Sequence, residues 1–269
     1  MNNSFKILFF GDIVGKIGRK AVCDYLSRNK NDVTFTVANV ENASHGFGLT
    51  EKNYNELLNA GFDCFTSGNH IWDKKDIFKY IKTADKLVRP LNYSKKAARG
   101  QGSAVFDFND VKIGVINVLG QTFMQTIESP WEITKKEIKK IKKVTPYVIV
   151  DFHAEATAEK VCFGRYCSEL GATAFFGTHT HVQTADDKII NDMAYITDAG
   201  FCGAYDSVIG IDYESSLKRL STGLPERFDV PETSVAQINA VEAEFCDGKA
   251  IGIKRINFVK DLSEVENES

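Results

Sequence analysis

The chain has little proline, no long apolar run and almost no surplus of charge. It contains 5 prolines in 269 residues, and 33 basic against 36 acidic side chains give a net charge of −3. A protein that coats nucleic acid usually has a basic domain, so this balance argues against such a role. It does not exclude a nucleotide substrate, because a bound metal ion can supply positive charge. The apolar fraction of 43% is near the globular average, which excludes wholesale disorder.

The apolar runs are short and the cysteines are scattered. The run near the N-terminus, Ile7–Phe10, is far too short for a signal sequence or for the ~20 apolar residues of a membrane span. The six cysteines include no CxxC pair, so we expect them to be reduced and to pack as small apolar side chains. These features predict a cytoplasmic protein without a membrane partner.

Strand-like and helix-like segments alternate in the first third of the chain. Apolar runs predict strands, and 3.6-residue periodicity predicts helices between them. The predicted strands are Phe5–Phe10, Val33–Val40 and Phe62–Thr66, and the predicted helices are Ile17–Arg28 and Thr50–Ala60. Asp73 or Asp76 is expected to begin another short helix.

The rest of the chain adds hairpins to this alternation. Turn residues between β-rich runs predict two hairpins, Ser103–Phe108 with Val111–Val118 and Ser234–Phe245 with Ala250–Phe258. Between the hairpins we expect helices Trp131–Lys143 and Ala154–Leu170 and strands Tyr147–Phe152 and Thr173–Phe176. Alternation followed by hairpins predicts an α/β (α+β) fold with a mixed sheet, or with two sheets and helices outside. No linker or repeat is present, so we expect one domain over residues 1–269, with an acidic, frayed tail at about 261–269.

Polar side chains of the kinds that bind metal ions follow five of the predicted strands. In chain order these are Asp12, the pair Glu41 and Asn42, the pair Asn69 and His70, His153, and the pair His179 and His181. In open α/β sheets, sites form outside the carboxyl ends of strands, so these residues are predicted to face one site. Four of the five histidines lie in these motifs, and the exception is His45.

Each motif alone has an ordinary structural explanation. An aspartate after a strand is commonly a turn or cap residue, and a single buried histidine is commonly a hydrogen-bonded one. The His179-x-His181 pair is a stronger signal, since in an extended segment both imidazoles project to the same side. The joint occurrence of the motifs favours a functional site.

The chemistry of this residue set suits two metal ions. Imidazole suits Zn, Fe, Mn and Ni, whereas carboxylate and amide oxygens suit harder ions. A two-metal site holds its ions ~3.5–4 Å apart and clamps the attacking and leaving oxygens of an in-line displacement. A carboxylate can bridge the ions, and a bridging water loses a proton near neutral pH to become the nucleophile.

Five short strings, in this order, resemble a known family. They are GDIVG at 11–15, VEN at 40–42, GNH at 68–70, DFHAE at 151–155 and GTHTH at 177–181. The set resembles the calcineurin-like metallophosphoesterase superfamily, and within it the YmdB-like branch of bacterial phosphodiesterases acting on 2′,3′-cyclic nucleotides. The resemblance runs from about Phe5 to Gly210 and implies a four-layer α/β/β/α fold, with two mixed β-sheets packed as a sandwich flanked by helices.

The resemblance implies roles for the predicted site residues. One metal ion would be held by Asp12, Glu41, Asn42 and His181, and the other by Glu41, Asn69, His153 and His179, with Glu41 bridging. His70 would face the scissile phosphate, where its imidazole could donate a proton to the departing ribose oxygen or stabilise the phosphorane. The cofactors are expected to be two divalent or trivalent ions, Fe or Mn first, with Zn or Mg as alternatives.

Two departures from the superfamily pattern fit the YmdB-like branch. Val14 stands where the pattern usually has a histidine, and Glu41-Asn42 stands where it usually has Gly-Asp. Asn42 would then take up coordination. One imidazole fewer makes that site harder, which leaves the identity of the metal open.

Other residues suggest other functions, with weaker support than the metal site has. GDIVGKI at 11–17 has three residues between its glycines instead of four, and Ile17 replaces the hydroxyl of a P-loop, which disfavours an NTPase. Lys16 or Arg19 could still approach a phosphate, although a solvated helix start is the ordinary role. Phe47 and Tyr205 could stack on a base or simply pack in the core or a loop.

A lysine-rich helix raises the question of RNA. Six lysines fall within residues 135–143 and could attract RNA, but Ile138 and Ile141 supply an inner face, so a solvated outer face is the ordinary explanation. RNA and a homo-oligomer, the latter through an edge of the C-terminal hairpin, remain candidate partners.

The sequence favours a dinuclear metal-dependent phosphodiesterase that hydrolyses 2′,3′-cyclic nucleotides, such as 2′,3′-cAMP, to nucleoside monophosphates. The alternatives are a metal- and nucleotide- or RNA-binding regulator with low turnover, and a broader phosphoesterase or RNase of the same superfamily. The presence of every expected ligand together with His70 favours the enzyme.

Overall fold

The computed structural model describes residues 4–94 and 96–263. Within these residues the chain forms fourteen β-strands, six α-helices and a 3₁₀ helix at Asn69–Trp72. The strands are β1 Phe5–Phe10, β2 Asp12–Ile13, β3 Thr34–Asn39, β4 Cys64–Thr66, β5 Leu87–Val88, β6 Ser103–Phe108, β7 Val111–Leu119, β8 Tyr147–His153, β9 Ala174–Thr178, β10 Lys188–Ile190, β11 Met193–Ile196, β12 Phe201–Ala204, β13 Val235–Cys246 and β14 Lys249–Asp261. The α-helices are α1 Gly15–Asn29, α2 Glu51–Asn59, α3 Ile77–Tyr80, α4 Pro130–Ile141, α5 Thr157–Glu169 and α6 Tyr213–Thr222.

The strands form two mixed sheets. The first has the order β2-β12-β13-β1-β3-β4-β5, with β14 paired to β13, and its members β1, β3, β4 and β5 run parallel. The second has the order β10-β11-β9-β8-β7-β6, with parallel strands from β11 to β7 and antiparallel edges. The parallel strands of each sheet therefore end at a common edge.

Three apolar layers hold the sheets and helices together. In β1, Ile7 and Phe9 point into the layer between the two sheets, whereas Leu8 and Phe10 point into the layer beneath α1 and α2. A third layer, which includes Phe152, lies between the second sheet and helices α4 and α5. The alternation in β1 follows from the two-residue period of a strand buried on both faces. The predicted four-layer α/β/β/α sandwich is confirmed.

Most element boundaries lie within a few residues of the predicted ones. Two boundaries differ by three residues. Strand β14 ends at Asp261 and not at Phe258, and helix α5 begins at Thr157 and not at Ala154, because its N-cap residue Ala156 is still extended. The predicted cap of α2 is present: the Thr50 hydroxyl accepts a hydrogen bond from the Asn53 N–H at 3.4 Å. Of the two candidates for the next helix, Asp76 occupies the N-cap position of α3.

The chain end was predicted wrongly in part. Strand β14 continues to Asp261, Leu262 is buried, and its N–H donates to the Ser234 carbonyl at 2.9 Å. The frayed tail therefore does not begin at residue 261, and residues 264–269 lie outside the described residues. The interpretation of residues 1–269 as one domain stays a prediction.

In the two described stretches, no helix has both the length and the apolarity that crossing a bilayer requires. All six cysteines are free thiols, and four of them are buried, as expected of small apolar side chains, whereas Cys162 is exposed.

Candidate metal centre

The predicted site residues lie where the two sheets present the ends of their parallel strands. In the second sheet, Leu119, His153 and Thr178 are register neighbours at the last positions of β7, β8 and β9. Asp12 follows the end of β1 in the first sheet, and its Oδ2 accepts the backbone N–H of His179 from the second sheet at 3.1 Å. This hydrogen bond joins the two sheet edges at the site.

Three side chains, the buried Glu41 and His153 and the partly exposed His179, converge at the centre of the site. Glu41 Oε1 lies 2.8 Å from His153 Nε2, which lies 3.0 Å from His179 Nδ1. One ligand-capable atom from each of these residues lies within 4.8 Å of the other two. One carboxylate oxygen and two imidazole nitrogens facing one another form a donor set that suits a transition-metal ion.

Two oxygens beside this group have no protein donor. Among the described residues, Asp12 Oδ1 and Asn69 Oδ1 are buried without a hydrogen-bond partner. A buried acceptor without a donor is costly, and a bound cation removes that cost. These oxygens therefore fit the metal ligands that the sequence predicts.

Gly68 leaves space for this arrangement. A Cβ atom at Gly68 would lie 2.2 Å from Glu41 Oε2 and 2.4 Å from His153 Nε2. Any side chain there would displace both residues. The glycine of the GNH string is thus explained by close approach at the centre.

A second group lies on the other side of Glu41. His181 Nε2 is 3.1 Å from the Asn42 amide nitrogen and 3.8 Å from Asp12 Oδ1, and the Asn42 amide lies 3.4 Å from Glu41 Oε1. His181 Nδ1 donates to the Ile209 carbonyl at 2.8 Å, which leaves Nε2 with its lone pair facing the group. A half-turn of the amide would present the Asn42 oxygen to the same point.

The two histidines of GTHTH do not converge for the reason predicted from the sequence. Strand β9 ends at Thr178, and His179 and His181 have φ angles of 102° and 62°, so the segment is not extended. Asp198 Oδ2 stabilises this turn by accepting the Thr180 N–H at 3.1 Å and its hydroxyl at 2.6 Å. The side chains reach the site through this left-handed turn.

His70 lies at the rim, outside the group of converging ligands. Its N–H donates to Glu41 Oε2 at 3.0 Å, and its Nδ1 lies 2.7 Å from Asp73 Oδ2. The imidazole also contacts the Phe47 ring edge to face, with centroids 4.9 Å apart. Because Asp73 holds Nδ1, the ring orientation is fixed and Nε2 is left for another partner. The sequence predicted only a helix-capping role for Asp73.

A buried network supports His153, and sequence reasoning missed it. The Thr178 hydroxyl donates to Asp151 Oδ1 at 2.7 Å and lies 2.9 Å from His153 Nδ1, while the Asn39 amide donates to Asp151 Oδ2 at 3.0 Å. Because Thr178 donates to Asp151, its oxygen accepts from His153 Nδ1–H, which directs the Nε2 lone pair of the neutral ring toward Glu41 and His179. One feature of the sequence could have predicted part of this network: Asp151 and His153 are two residues apart, which places both side chains on one face of β8.

The pKa values of the buried groups are strongly shifted. Burial raises the pKa of Asp12. Burial also acts to raise the pKa of Glu41, but the charge and hydrogen bond of His153 outweigh it and hold that pKa well below its usual range. Burial acts to lower the pKa of His153, yet Glu41 and then Asp12 raise it to about 9. Burial, with the His153 charge second, lowers the pKa of His179 to about 3.

The fold and the site define a class of metallophosphoesterase-type proteins, and comparisons with known proteins agree. The crystal structure of a novel phosphatase from Mycoplasma pneumoniae superposes with a TM-score of 0.90 at 38% identity, covering 100% of this chain and 98% of that chain. A hypothetical protein from Thermus thermophilus superposes with a TM-score of 0.87 at 32% identity, covering 95% of this chain and 100% of that one.

The sequence comparisons give the family. The 2′,3′-cyclic-nucleotide 2′-phosphodiesterase of Bacillus subtilis strain 168 is 43% identical over 256 residues, covering 93% of this chain and 96% of that protein. Residues 8–256 match the family model described as YmdB-like protein. The chain belongs to the YmdB-like family. The resemblance predicted from the five strings is confirmed, and so is the prediction of an enzyme.

Proposed function

We propose that this protein hydrolyses 2′,3′-cyclic nucleotides to nucleoside monophosphates at a dinuclear metal centre. The observation that carries the proposal is the convergence of Glu41, His153 and His179 beside the buried, unpartnered oxygens of Asp12 and Asn69. The name of the Bacillus subtilis relative supports the cyclic nucleotide as substrate class.

The donor atoms support two ligand sets that share Glu41. One consists of Asp12, Glu41, Asn42 and His181, and the other of Glu41, Asn69, His153 and His179. Mixed imidazole and oxygen donors favour Fe or Mn, with Zn or Mg as alternatives. When bound, such ions supply charge that stabilises the phosphate oxygens and lower the pKa of a water molecule.

His70 is the proposed general acid. Hydrolysis adds one water across a phosphorus–oxygen bond of the cyclic phosphate, and the departing ribose oxygen must gain a proton. Asp73 holds Nδ1 at 2.7 Å, so a proton on Nε2 is the one available for transfer.

Neighbouring groups hold His70 in place. The backbone N–H of His70 donates to Glu41 Oε2 at 3.0 Å, which ties the main chain at His70 to the shared metal ligand. Phe47, edge to face with the ring, limits its rotation and keeps water from one side of it.

We further propose a cytoplasmic location, which the six free thiols support.

The test is hydrolysis of 2′,3′-cAMP by protein loaded with Mn²⁺ or Fe²⁺. We expect metal-dependent release of a nucleoside monophosphate, and we expect His70→Ala to keep its metal content while losing roughly 100-fold or more in kcat. Lys139→Ala, on an exposed face of α4, serves as the control. Metal binding without turnover by the wild type would contradict the proposal and favour a binding protein. Loss of metal from His70→Ala would show that His70 is a ligand.

A further inference from the structure

A large cleft opens beside the metal centre. It has a volume of ≈ 940 Å³ and lies between the start of α1, the loop after β3 and the segment 227–234. Val230 packs against the glycine-rich start of α1, where a Cβ on Gly15 would lie 2.8 Å from its Cγ1 atom. The segment 227–234 therefore forms one wall of the cleft.

Phe47 connects the cleft to the metal centre. Its ring lines the cleft and contacts the His70 imidazole at 4.9 Å. On the cleft side it stacks with Phe228, with centroids 6.2 Å apart and an interplanar angle of 24°. Lys74, four residues after His70, lines the same cleft. A ligand can thus extend from the phosphate position beside His70 into the cleft.

The charge of the cleft differs from that of the whole chain. Its cationic side chains are Lys16, Lys20, Lys74 and Arg227, against the acids Asp229 and Glu232. Arg227 Nε lies 3.2 Å from Asp229 Oδ1, which pairs one of the four cations with one of the two acids. The lining is positive in a chain whose net charge is −3.

A cyclic mononucleotide has no second phosphate that could pair with the positive charge of the cleft. Its single phosphate is the group that the metal centre and His70 would hold. Cations beyond that position attract further phosphates. The Phe47 and Phe228 rings stack on each other, with Arg219 over Phe228, and they add an aromatic surface against which bases can pack. A chain of nucleotides has both, and its 3′ end can carry the cyclic phosphate.

We propose that the cleft binds the 5′ portion of an RNA fragment whose 3′ end is a 2′,3′-cyclic phosphate. The inference rests on the proposed function and names its substrate class: short oligoribonucleotides are opened at their cyclic end. Hydrolysis adds one water to the terminal ring and yields one free hydroxyl and one phosphomonoester. The remaining phosphodiesters lie in the cleft and are not cleaved.

The lysine-rich helix α4 is the competing surface for RNA. It packs on the outer face of the second sheet through Ile138 and Ile141, and Lys140 pairs with Glu137 at 2.7 Å. Its exposed lysines do not line the cleft. They provide a matched control with the same charge change at a different place.

The experiment compares 2′,3′-cAMP with a hexaadenylate that ends in a 2′,3′-cyclic phosphate, using Mn²⁺-loaded protein. We expect a higher kcat/KM for the hexanucleotide, mainly through KM. Two additional phosphate contacts give a salt slope of about −1.4, so its advantage should fall roughly sevenfold between 50 and 200 mM salt.

Variants locate the binding surface. Lys16→Glu with Arg227→Glu should lower the ratio of hexanucleotide to mononucleotide kcat/KM about tenfold. Lys136→Glu with Lys139→Glu, both at exposed positions of α4, should leave that ratio unchanged. The milder pair Lys16→Gln and Arg227→Gln covers the case in which charge reversal impairs folding. An unchanged ratio in the cleft variants, or an equal loss in the α4 variant, would overturn the inference.

The outcome separates the inference from the proposed function. Hydrolysis of 2′,3′-cAMP without any advantage for the hexanucleotide refutes the cleft proposal alone. If neither substrate is hydrolysed, the proposed function fails, and fluorescence anisotropy with labelled hexanucleotide still tests the cleft. Binding that weakens in the cleft variants supports it, and binding unaffected by them refutes it.

Discussion

The hydroxyl of Thr178 is predicted to control metal affinity without itself binding a metal ion. It joins His153 Nδ1, at 2.9 Å, to Asp151 Oδ1, at 2.7 Å, in a region from which solvent is excluded. Thr178→Val keeps the shape of the side chain and removes only the hydroxyl. Asp151 then loses a donor and His153 loses the acceptor that holds its ring.

The magnitude follows from these two contacts. A buried polar group left without its partner costs about 1–3 kcal/mol, so two such groups should lower the free energy of unfolding by roughly 3 kcal/mol. Loss of a partner that orients a metal-binding histidine typically lowers metal affinity 10–100-fold, and we expect a change of about that size for Mn²⁺.

The assay is a calorimetric Mn²⁺ titration together with urea unfolding of the metal-free protein. Thr178→Ser is the matched variant, because it keeps the hydroxyl and loses one methyl group. It should lose about 1 kcal/mol of stability and bind Mn²⁺ nearly as tightly as the wild type. Valine and serine variants with equal Mn²⁺ affinity would refute the proposed orientation of His153 by Thr178.

Three further predictions address other parts of the site. Gly68→Ala should abolish tight Mn²⁺ binding, because its Cβ would lie 2.4 Å from His153 Nε2; metal content by elemental analysis checks this, and normal content would contradict it. Asp73→Asn should lower kcat about tenfold with little change in KM, whereas Asp76→Asn, at the N-cap of α3, should not; equal effects would remove Asp73 from the positioning of His70. In metal-free protein, the folded-state pKa of His153 is raised to about 9 from 6.5, so its contribution to stability is complete below pH 6.5 and is lost as the pH rises through 9. This corresponds to roughly 3 kcal/mol, and urea unfolding that is flat from pH 6.5 to 9 would contradict it.

The sequence was sufficient to predict the parallel strands and the site residues that follow them. Buried parallel strands are short, continuous apolar runs, so β1, β3 and β8 are recognisable from local composition. Because parallel strands end at a common edge, local sequence alone is enough to expect Asp12 and Glu41 in one site. Strands such as β2, of two residues, carry too little sequence to show a period.

The parts that could not be predicted depend on contacts between distant segments. The turn that carries His179 and His181 is determined by Asp198 and by the Ile209 carbonyl, both from later in the chain. Thr178 has the appearance of an ordinary strand residue, and only the neighbouring strand reveals the role of its hydroxyl. Hydrophobic periodicity describes which face a residue occupies and gives no information about its hydrogen bonds.

The buried acids near the site are of two kinds, one paired with a lysine and two without a lysine or arginine partner. This difference explains why the centre attracts cations in a nearly neutral chain. Lys160 and Asp198 form a buried pair at 2.5 Å, in which one charge cancels the other, and removing either partner would leave an uncompensated buried charge. Asp12 and Glu41 have no lysine or arginine partner among the described residues. Both face the imidazole of His153, whose Nδ1 lies 3.9 Å from Asp12 Oδ1 and whose Nε2 lies 2.8 Å from Glu41 Oε1. The raised pKa values of Asp12 and His153 express this deficit, since each group holds a proton more strongly where negative charge is in excess or poorly solvated. Metal ions and protons therefore compete for the same buried negative charge. The Lys160–Asp198 pair is separate from that competition, and Asp198 holds the turn at His179 through Thr180 whether a metal ion or a proton is bound.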